Sequence, residues 1–344
     1  MASDVTRARL ELTREQILTY RRSTGALDAR LPPGPTSLRR AAWAGLQDSM
    51  PRAAVLSIHA RVHGTGPDAW EDSSLVQLWG PRFSAYVVAA PDHAVFSLGR
   101  LPDAVEGRRR ADDLALRLHA FLDGRKMPYS EVGRGLGVHP NSLRYAAPTG
   151  TVLIRWDGAR QATVWTVAPP DVNPRDAHLE LARRYLHVFG PATPAAFAQW
   201  AGIRPADGRA VFDALDRSLT RVRTPGGDAL ILTGDEPTFR ASGGPAASAR
   251  LLPSGDAYFL FRGADRELLV PDSDNRRKLW TPRVWPGAVL VEGEIVGTWR
   301  RAQTDVTVES WRRLSPAERE AVEAEAESMP LAGPGHGVRV RWGD

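Results

Sequence analysis

Residues 43–62 read WAGLQDSMPRAAVLSIHARV, and this segment places an amide, a carboxylate and a hydroxyl side by side at Gln47, Asp48 and Ser49. An amide both donates to and accepts from a water molecule, and Asp48 can serve as a base or as a countercharge. Ser49 can hold a water molecule but cannot take its proton. The three side chains are therefore candidate catalytic residues for a reaction in which water is the nucleophile.

A purely structural role explains the same three residues. A helix predicted at residues 38–47 must end before Pro51, and Asp48 or Ser49 is a good cap for the next helix, in PRAAVLSIHARV. The local sequence leaves both interpretations open.

Composition excludes several kinds of site. The 344 residues contain no cysteine, which removes disulfides, thiolate nucleophiles and cysteine-bound metals. The histidines are scattered and show no metal-ligand spacing, so we expect neither a metal nor a cofactor. The length is enough for two to four compact units, and 42% hydrophobic with 25% charged residues indicates a soluble, globular chain.

Charge and hydropathy indicate the partners. The net charge is +5 and nearly all positive charge is arginine, whose fork suits phosphates and base edges, although a GC-rich genome also favours arginine. Double-stranded DNA is the expected partner. No apolar run approaches ~18 residues, and the start MASDVTRARLELTREQ lacks an apolar signal core. We therefore expect no membrane association, a cytosolic location with the nucleoid, and a monomer, because no heptad pattern is present.

One order of elements, helices followed by a β-hairpin, recurs about three times, over residues 1–102, 103–172 and 173–241. In the first unit, helices at residues 12–22 and 38–47 and in PRAAVLSIHARV precede three predicted strands in LVQLWG, SAYVVAA and HAVFSLGRL. Thr13, with Gln16 three residues later, is the predicted cap of the first helix, and Thr36 or Ser37 that of the second.

The second and third units repeat this order with different residues. A helix at 103–122, a helix–turn–helix in YSEVGRGLGV and HPNSLRYAA, and a hairpin turning at Asp157-Gly158 make up the second. A helix at 176–189, a helix–turn–helix capped by Thr193, and a hairpin in LTRVRTPGGDALILTG make up the third. Three helix–turn–helix units with wings are a pattern typical of tandem winged helices.

Residues 246–344 differ in character. Strands are predicted in ARLLPSGDAYFLFRG and RELLVPD, and a hairpin in VLVEGEIVGTW turns at Glu292-Gly293. Ser315 is the predicted cap of an acidic, exposed helix, and residues 242–249 are the best linker candidate. The predicted fold class is α+β: three tandem winged-helix units with a C-terminal β-rich block.

A winged helix places its second helix in the major groove and its wing against the backbone. On this basis the predicted DNA-binding residues of the second and third units are His139, Asn141, Arg144, Arg155, Arg160, Arg204, Arg209, Arg221 and Arg223, and Arg82 is added from the first unit. Winged helices also serve as protein–protein modules with solvated arginines, so a scaffold role is a second hypothesis.

A DNA-binding chain can also act on a base, by attack at C1′ of a nucleotide whose base leaves. The chain has only two lysines, Lys126 in a turn and Lys278 in DNRRKLW. A lysine Schiff base is therefore disfavoured, and a monofunctional, water-using reaction is favoured. A cationic leaving base, such as an N7-alkylated purine, lowers the barrier enough for weak groups to suffice.

The arrangement resembles the AlkZ/YcaQ-type winged-helix DNA glycosylases, which unhook interstrand crosslinks and remove bulky alkylated purines. AGLQDSMPRAAVLSIHARV looks like their first-unit segment, and RLLPSGDAYFLFRGADRELL and VLVEGEIVGTWRR look like their C-terminal block. The resemblance covers most of the chain. It implies three winged helices around a DNA-binding concavity, and it matches Gln47 to the first catalytic residue.

The resemblance also shows a departure. Ser49 stands where the family has Gln or Asp, and Asp48 stands where it usually has an apolar residue. The acidic function has then shifted to Asp48, or water is held more weakly, or the chain binds DNA without cutting a glycosidic bond. The preferred hypothesis is a glycosylase acting on alkylated or crosslinked purines, and a catalytically silent DNA-binding regulator is the alternative.

Overall fold

The computed structural model describes residues 10–50, 52–158, 161–241, 243–330 and 338–343. Its helices are α1 (Arg14–Thr24), α2 (Pro35–Ala41), α3 (Ala53–His59), α4 (His93–Leu98), α5 (Val105–Leu122), α6 (Tyr129–Gly135), α7 (Pro174–Phe189), α8 (Pro194–Ala201), α9 (Pro205–Leu215), α10 (Glu236–Arg240), α11 (Ala264–Leu269), α12 (Ser273–Leu279) and α13 (Pro316–Glu327). A 3₁₀ helix, Pro140–Thr149, follows α6.

The strands form four sheets. They are β1 (Leu10–Glu11), β2 (Leu46–Gln47), β3 (Leu75–Trp79), β4 (Ala85–Ala89), β5 (Met127–Pro128), β6 (Val152–Arg155), β7 (Thr163–Thr166), β8 (Leu219–Thr224), β9 (Gly227–Leu232), β10 (Ala249–Leu252), β11 (Gly287–Val291), β12 (Glu294–Ala302), β13 (Asp305–Ser310) and β14 (Arg339–Trp342). Three sheets have three strands, in the orders β2-β4-β3, β5-β7-β6 and β1-β8-β9, and the fourth runs β10-β11-β12-β13-β14. The predicted mixture of helix and sheet is confirmed.

Several local predictions are confirmed, because capping and turn signals act over a few residues. Thr13 caps α1 in a reciprocal capping box, Thr193 caps α8, and Ser315 caps α13 in a second capping box. The β11–β12 hairpin turns at Glu292 and Gly293, both with positive φ.

The second predicted helix, residues 38–47, is wrong at both ends. Helix α2 begins before Thr36 and Ser37, the predicted caps, and ends at Ala41 instead of Gln47. The last residues of the predicted helix form β2, which pairs antiparallel with β4. This pairing joins residues about 40 positions apart, so helix propensity in the local sequence did not reveal it.

Two predicted strands are helices. HAVFSLGRL contains α4, which buries Ala94, Phe96, Ser97 and Leu98 and packs against α7. RELLVPD contributes to α11, which buries only its C-terminal Leu268 and Leu269. Short apolar runs fit a buried helix as well as a buried strand, and tertiary packing selected the helix.

Helix α13 is less exposed than its acidic sequence predicts. It packs against β10 and buries Val322, Glu325 and Ala326. Glu325 accepts two hydrogen bonds from the Arg30 guanidinium, at 2.7 and 2.8 Å, so a buried charge of this helix is paired. Part of the predicted linker, Ser242, lies outside the described residues.

The largest hydrophobic core joins the helices α7 and α8 to the C-terminal part of the chain. The Tyr185 ring contacts the rings of Phe189 and Trp200, each at a centroid distance of 5.0 Å, and Phe189 contacts Phe261 at 5.5 Å. The segment after β10 is therefore held against the third group of helices. Among the described residues, no helix is both long and apolar enough to cross a membrane.

Candidate active site and nucleic-acid interface

Gln47 is the last residue of β2, Asp48 follows it with its N–H donating to the Ala85 carbonyl at 2.8 Å, and Ser49 lies in a bend. Successive side chains of a strand point to opposite faces. The burial agrees, since Asp48 is only 3% exposed whereas Gln47 is half-buried and Ser49 is exposed. The Asp48 side chain is therefore turned into the protein, whereas the side chains of Gln47 and Ser49 stay accessible.

The Gln47 amide has polar partners. Its Oε1 accepts from Arg82 Nη2 at 2.9 Å and from the Tyr86 hydroxyl at 3.4 Å. Arg82 itself is in the left-handed backbone region, with φ 55°, so its backbone is held in a conformation that few non-glycine residues adopt. The predicted DNA-binding residue Arg82 and the predicted catalytic residue Gln47 are thus brought into direct contact.

Gly255, in the turn after β10, covers the Gln47 amide. A Cβ built on Gly255 would lie 3.2 Å from Nε2 and 3.3 Å from Cδ of Gln47, and the φ of Gly255 is +80°. The positive φ favours glycine at this position, and a methyl group there would press on the Gln47 amide. The backbone of the C-terminal block therefore forms one wall around the amide.

A buried ion pair anchors this turn. Both Asp256 oxygens accept from Arg61 at 2.7 Å, and Asp256 also accepts from the Ser57 hydroxyl at 2.6 Å. Burial by itself would raise the pKa of Asp256, but the Arg61 guanidinium and the Ser57 hydroxyl hold that pKa below its ordinary value. Helix α3 and the arginine after it thus fix the turn that carries Gly255.

Asp48 is turned away from Gln47 and Ser49 and is fully hydrogen-bonded. Its Oδ1 accepts from the Ala54 N–H at 3.0 Å, which satisfies a donor in the first turn of α3, and its Oδ2 accepts from Gln77 Nε2 at 2.7 Å. Burial raises the pKa of Asp48 to about 6, and these hydrogen bonds limit the rise. The predicted caps Asp48 and Ser49 do not occupy the N-cap position of α3, which is Arg52, but the Asp48 carboxylate still satisfies one backbone donor of that helix.

Gln77 links residues 47–49 to the second hairpin. Its Oε1 accepts from the Trp156 N–H at 2.5 Å, while its Nε2 donates to the Trp156 carbonyl at 3.2 Å as well as to Asp48. The buried chain Asp48–Gln77–Trp156 therefore fixes the end of β6 relative to β2.

A cleft of about 520 Å³ opens beside Ser49, and we call it the aromatic cleft. Its lining includes Ser49, Trp79, Tyr129, Asn141, Arg144 and Trp156. Two predicted DNA-binding residues, Asn141 and Arg144, thus share one concave surface with a predicted catalytic residue. Within it, Arg144 Nε donates to the Asn141 carbonyl at 2.7 Å.

The other predicted DNA-binding residues lie outside this cleft. Arg155 is paired with Glu71 at 2.8 Å and lies over the Trp70 ring, 4.3 Å from its centroid. His139 Nδ1 accepts from the Asn141 N–H, so this histidine caps the 3₁₀ helix. Arg160 lies outside the described residues.

In the third group of elements, all four predicted arginines are exposed. Arg204 is paired with Asp207 at 2.6 Å and Arg223 with Asp228 at 2.6 Å. Arg209 and Arg221 are the other two. None of the four makes a hydrogen bond or ion pair with residues 47–49 in the described part of the chain.

The sequence alone missed Arg61, Gln77, Trp156, Gly255 and Asp256. Arg61 and Asp256 are 195 positions apart, and no local pattern pairs them. One signal was available: the Gly-Asp pair in LLPSGDAYF lies inside a segment already marked by the family resemblance, and glycine next to a buried acid indicates a constrained turn.

These features belong to a known class of DNA repair proteins. A family model described as DNA glycosylase AlkZ-like matches residues 40–330, and the chain therefore belongs to that family. The resemblance inferred from the sequence is confirmed.

Two of the matches are to Streptomyces sahachiroi. One is described as an interstrand DNA cross-link repair glycosylase and is 28% identical over 164 residues, which span 46% of this chain and 43% of that protein. The match thus covers less than half of the relative's length. The other is the solved structure of the DNA glycosylase AlkZ, similar with a TM-score of 0.76 at 19% identity over 97% of this chain and 100% of that one. This second likeness shows the fold.

Proposed function

We propose that this chain is a monofunctional DNA glycosylase that excises N-alkylated or crosslinked purines. Membership of the AlkZ-like family supports this activity. The observation that carries it is the Gln47 amide, which is half-buried, oriented by Arg82 and Tyr86, and walled by Gly255. Contacts on three sides fix the orientation of this amide, and its partial exposure leaves it accessible to water. An amide held in this way can position one water molecule for reaction.

In the proposed reaction the C1′–N9 bond breaks with its electron pair on the purine, the water oxygen bonds to C1′, and the water proton passes to solvent. Gln47 and Ser49, whose side chains are accessible, hold the water molecule. The Asp48 carboxylate does not touch it; it positions the segment through its hydrogen bonds with Ala54 and Gln77. The remaining N–H groups of Arg82 suit a backbone phosphate.

We also propose that the three groups of helices and sheets are tandem winged helices over residues 1–102, 103–172 and 173–241, followed by the block 246–344. Each three-stranded sheet contains one hairpin, β3–β4, β6–β7 or β8–β9, and one added short strand, which is the pattern of a wing. The chain would bind duplex DNA as a monomer, with its arginines on backbone phosphates. Association with the nucleoid stays a prediction from the sequence.

The test is release of 7-methylguanine from duplex DNA, or unhooking of a nitrogen-mustard crosslink, under single-turnover conditions. Gln47→Ala should lower the rate by about 100-fold or more, since it removes a group that acts directly on the reacting water. Gln199→Ala, which removes an exposed amide on α8, is the matched control and should match wild type.

The departure at Ser49 favours a second candidate, a protein that binds DNA without cutting it. Wild type that binds duplex with a steep salt dependence but releases no base would support this candidate and exclude the glycosylase. Absence of duplex binding at low salt would leave the scaffold hypothesis.

A further inference from the structure

The aromatic cleft has the size of a ligand site and an unusual lining. Its volume of about 520 Å³ lies within the ~300–1,000 Å³ typical of small-molecule pockets. Trp79, Tyr129 and Trp156 are all only half-buried, although large aromatic side chains of this chain such as Phe96 and Phe197 are fully buried. Aromatic faces left open in a concave surface can stack on a planar ligand.

The polar groups of the cleft suit the edge of a nucleobase. Asn141 presents an exposed amide, and amides and guanidinium groups are the side chains that pair with purine edges. Arg144 Nε donates to the Asn141 carbonyl, so the terminal N–H groups of Arg144 are the ones that can reach a ligand. Aromatic walls with an amide and a guanidinium at one side match a purine base.

The position of the cleft relative to Gln47 fits a nucleotide turned out of the duplex. Ser49 lines the cleft, and Gln47 lies only two residues earlier in the chain and is half-buried. A purine in the cleft would therefore have its sugar near Gln47 and Ser49. The Gln77 hydrogen bonds to Trp156 hold one wall of the cleft in fixed register with this segment.

We infer that the aromatic cleft receives the N7-alkylated purine base of the flipped nucleotide, stacked against Trp156 and Tyr129, with its edge toward Asn141 and Arg144. This inference rests on the proposed function and adds the site of the base to it. The ligand class follows from the lining: a positively charged purine is attracted to the electron-rich faces of tryptophan and tyrosine.

The test measures binding, not base release. Three duplexes are compared: one with 2′-fluoro-7-methyldeoxyguanosine, whose fluorine disfavours the oxocarbenium-like sugar and prevents release; one with a tetrahydrofuran abasic site at the same position; and one undamaged. Stacking on a base contributes about 5- to 150-fold in affinity. Trp156→Ala and Tyr129→Ala should lower affinity for the lesion duplex by a factor in this range, with little change for the abasic duplex.

Two control variants show whether a loss of affinity comes from contact with the damaged base. Tyr145→Ala removes a tyrosine of the same unit that is 53% exposed, packs on Phe83 and is not among the cleft-lining residues, so it should leave the ratio of lesion to abasic affinity unchanged. Trp156→Phe should restore most of that ratio, because it keeps a stacking ring. Thermal unfolding of each variant checks that the fold is retained.

Three outcomes would overturn the inference: wild type that binds lesion and abasic duplexes equally, cleft variants that weaken both equally, or Tyr145→Ala changing the ratio as much as they do. Failure of the proposed function is a separate result. Wild type that prefers the lesion duplex through the cleft but never releases 7-methylguanine would keep the base site and reject the glycosylase.

Discussion

Gly255 and Gln47, which are far apart in the chain, are in contact: a Cβ on Gly255 would lie 3.2 Å from Nε2 of Gln47. Gly255 has φ +80°, and its turn is anchored by the Asp256–Arg61 pair. The C-terminal block thus sets the position of an amide carried by the first sheet.

Gly255→Ala should slow base excision by about 10- to 100-fold, because the added methyl group displaces the Gln47 amide from the position in which it holds water. Single-turnover release of 7-methylguanine measures the effect. Gly124→Ala is the matched control: its φ is +75°, so the backbone strain is comparable, but no atom lies within 4 Å of the added Cβ. The control should excise at the wild-type rate.

A double-mutant cycle shows whether this effect passes through the amide. In a Gln47→Ala background, Gly255→Ala should cause no further loss of the residual rate, since the group it displaces is gone. A full additional loss in that background would contradict the proposed contact as the cause.

Arg61→Ala should destabilise the fold by about 3–5 kcal/mol, because it leaves the Asp256 carboxylate buried without its partner. Denaturant unfolding measures the change. Arg277→Ala, which breaks the exposed pair with Asp274, should stay within about 0.5 kcal/mol of wild type. Equal effects of the two substitutions would show that the buried pair does not anchor the turn.

Excision should depend on pH through Asp48, whose pKa burial raises to about 6. A protonated carboxyl cannot accept from both Ala54 and Gln77, so the segment and the Trp156 wall lose a hydrogen bond below about pH 6. The wild-type rate should therefore fall as pH drops through about 6. Asp48→Asn should excise slowly at every pH, and its rate should not change as pH passes through about 6. Asp213→Asn, which changes an exposed carboxylate, should keep the wild-type pH dependence. A wild-type profile flat between pH 5 and 7 would contradict this role.

The raised pKa of Asp48 also makes the stability of the fold depend on pH. Its folded pKa is raised above the unfolded value of about 3.9, so the folded state binds the proton more tightly. The free energy of unfolding contributed by Asp48 is therefore highest below pH 4, falls as pH rises to about 6, and is constant above that. Comparing unfolding of wild type and Asp48→Asn at pH 4 and pH 7 measures this difference.

Arg209→Ala should weaken duplex binding and lower the slope of log affinity against log salt by about one, if Arg209 contacts a phosphate. Arg204→Ala should have a smaller effect, because Asp207 already neutralises that charge. Both arginines belong to the α9 region and are exposed, so the pair is matched. A larger loss for Arg204→Ala would place the DNA contact at the start of α9 instead.

Features encoded within a few residues could be predicted from the sequence. The capping boxes at Thr13 and Ser315, the cap at Thr193 and the hairpin turn at Glu292-Gly293 depend on short-range hydrogen bonds and on glycine's access to positive φ. The family resemblance is also confirmed, because it depends on residue identities that the folded state does not alter.

Tertiary structure alone decided the geometry of the candidate site. The local sequence favours a helix through Gln47, but pairing with β4 makes this segment a strand and turns Asp48 away from Gln47 and Ser49. Gly255 and Trp156 reach the segment only through long-range contacts. Helical propensity is worth a few tenths of a kcal/mol per residue, which burial and strand pairing easily outweigh. The sequence therefore identified which residue types make up the candidate site. Only the tertiary structure determined which way their side chains point and which residues they contact.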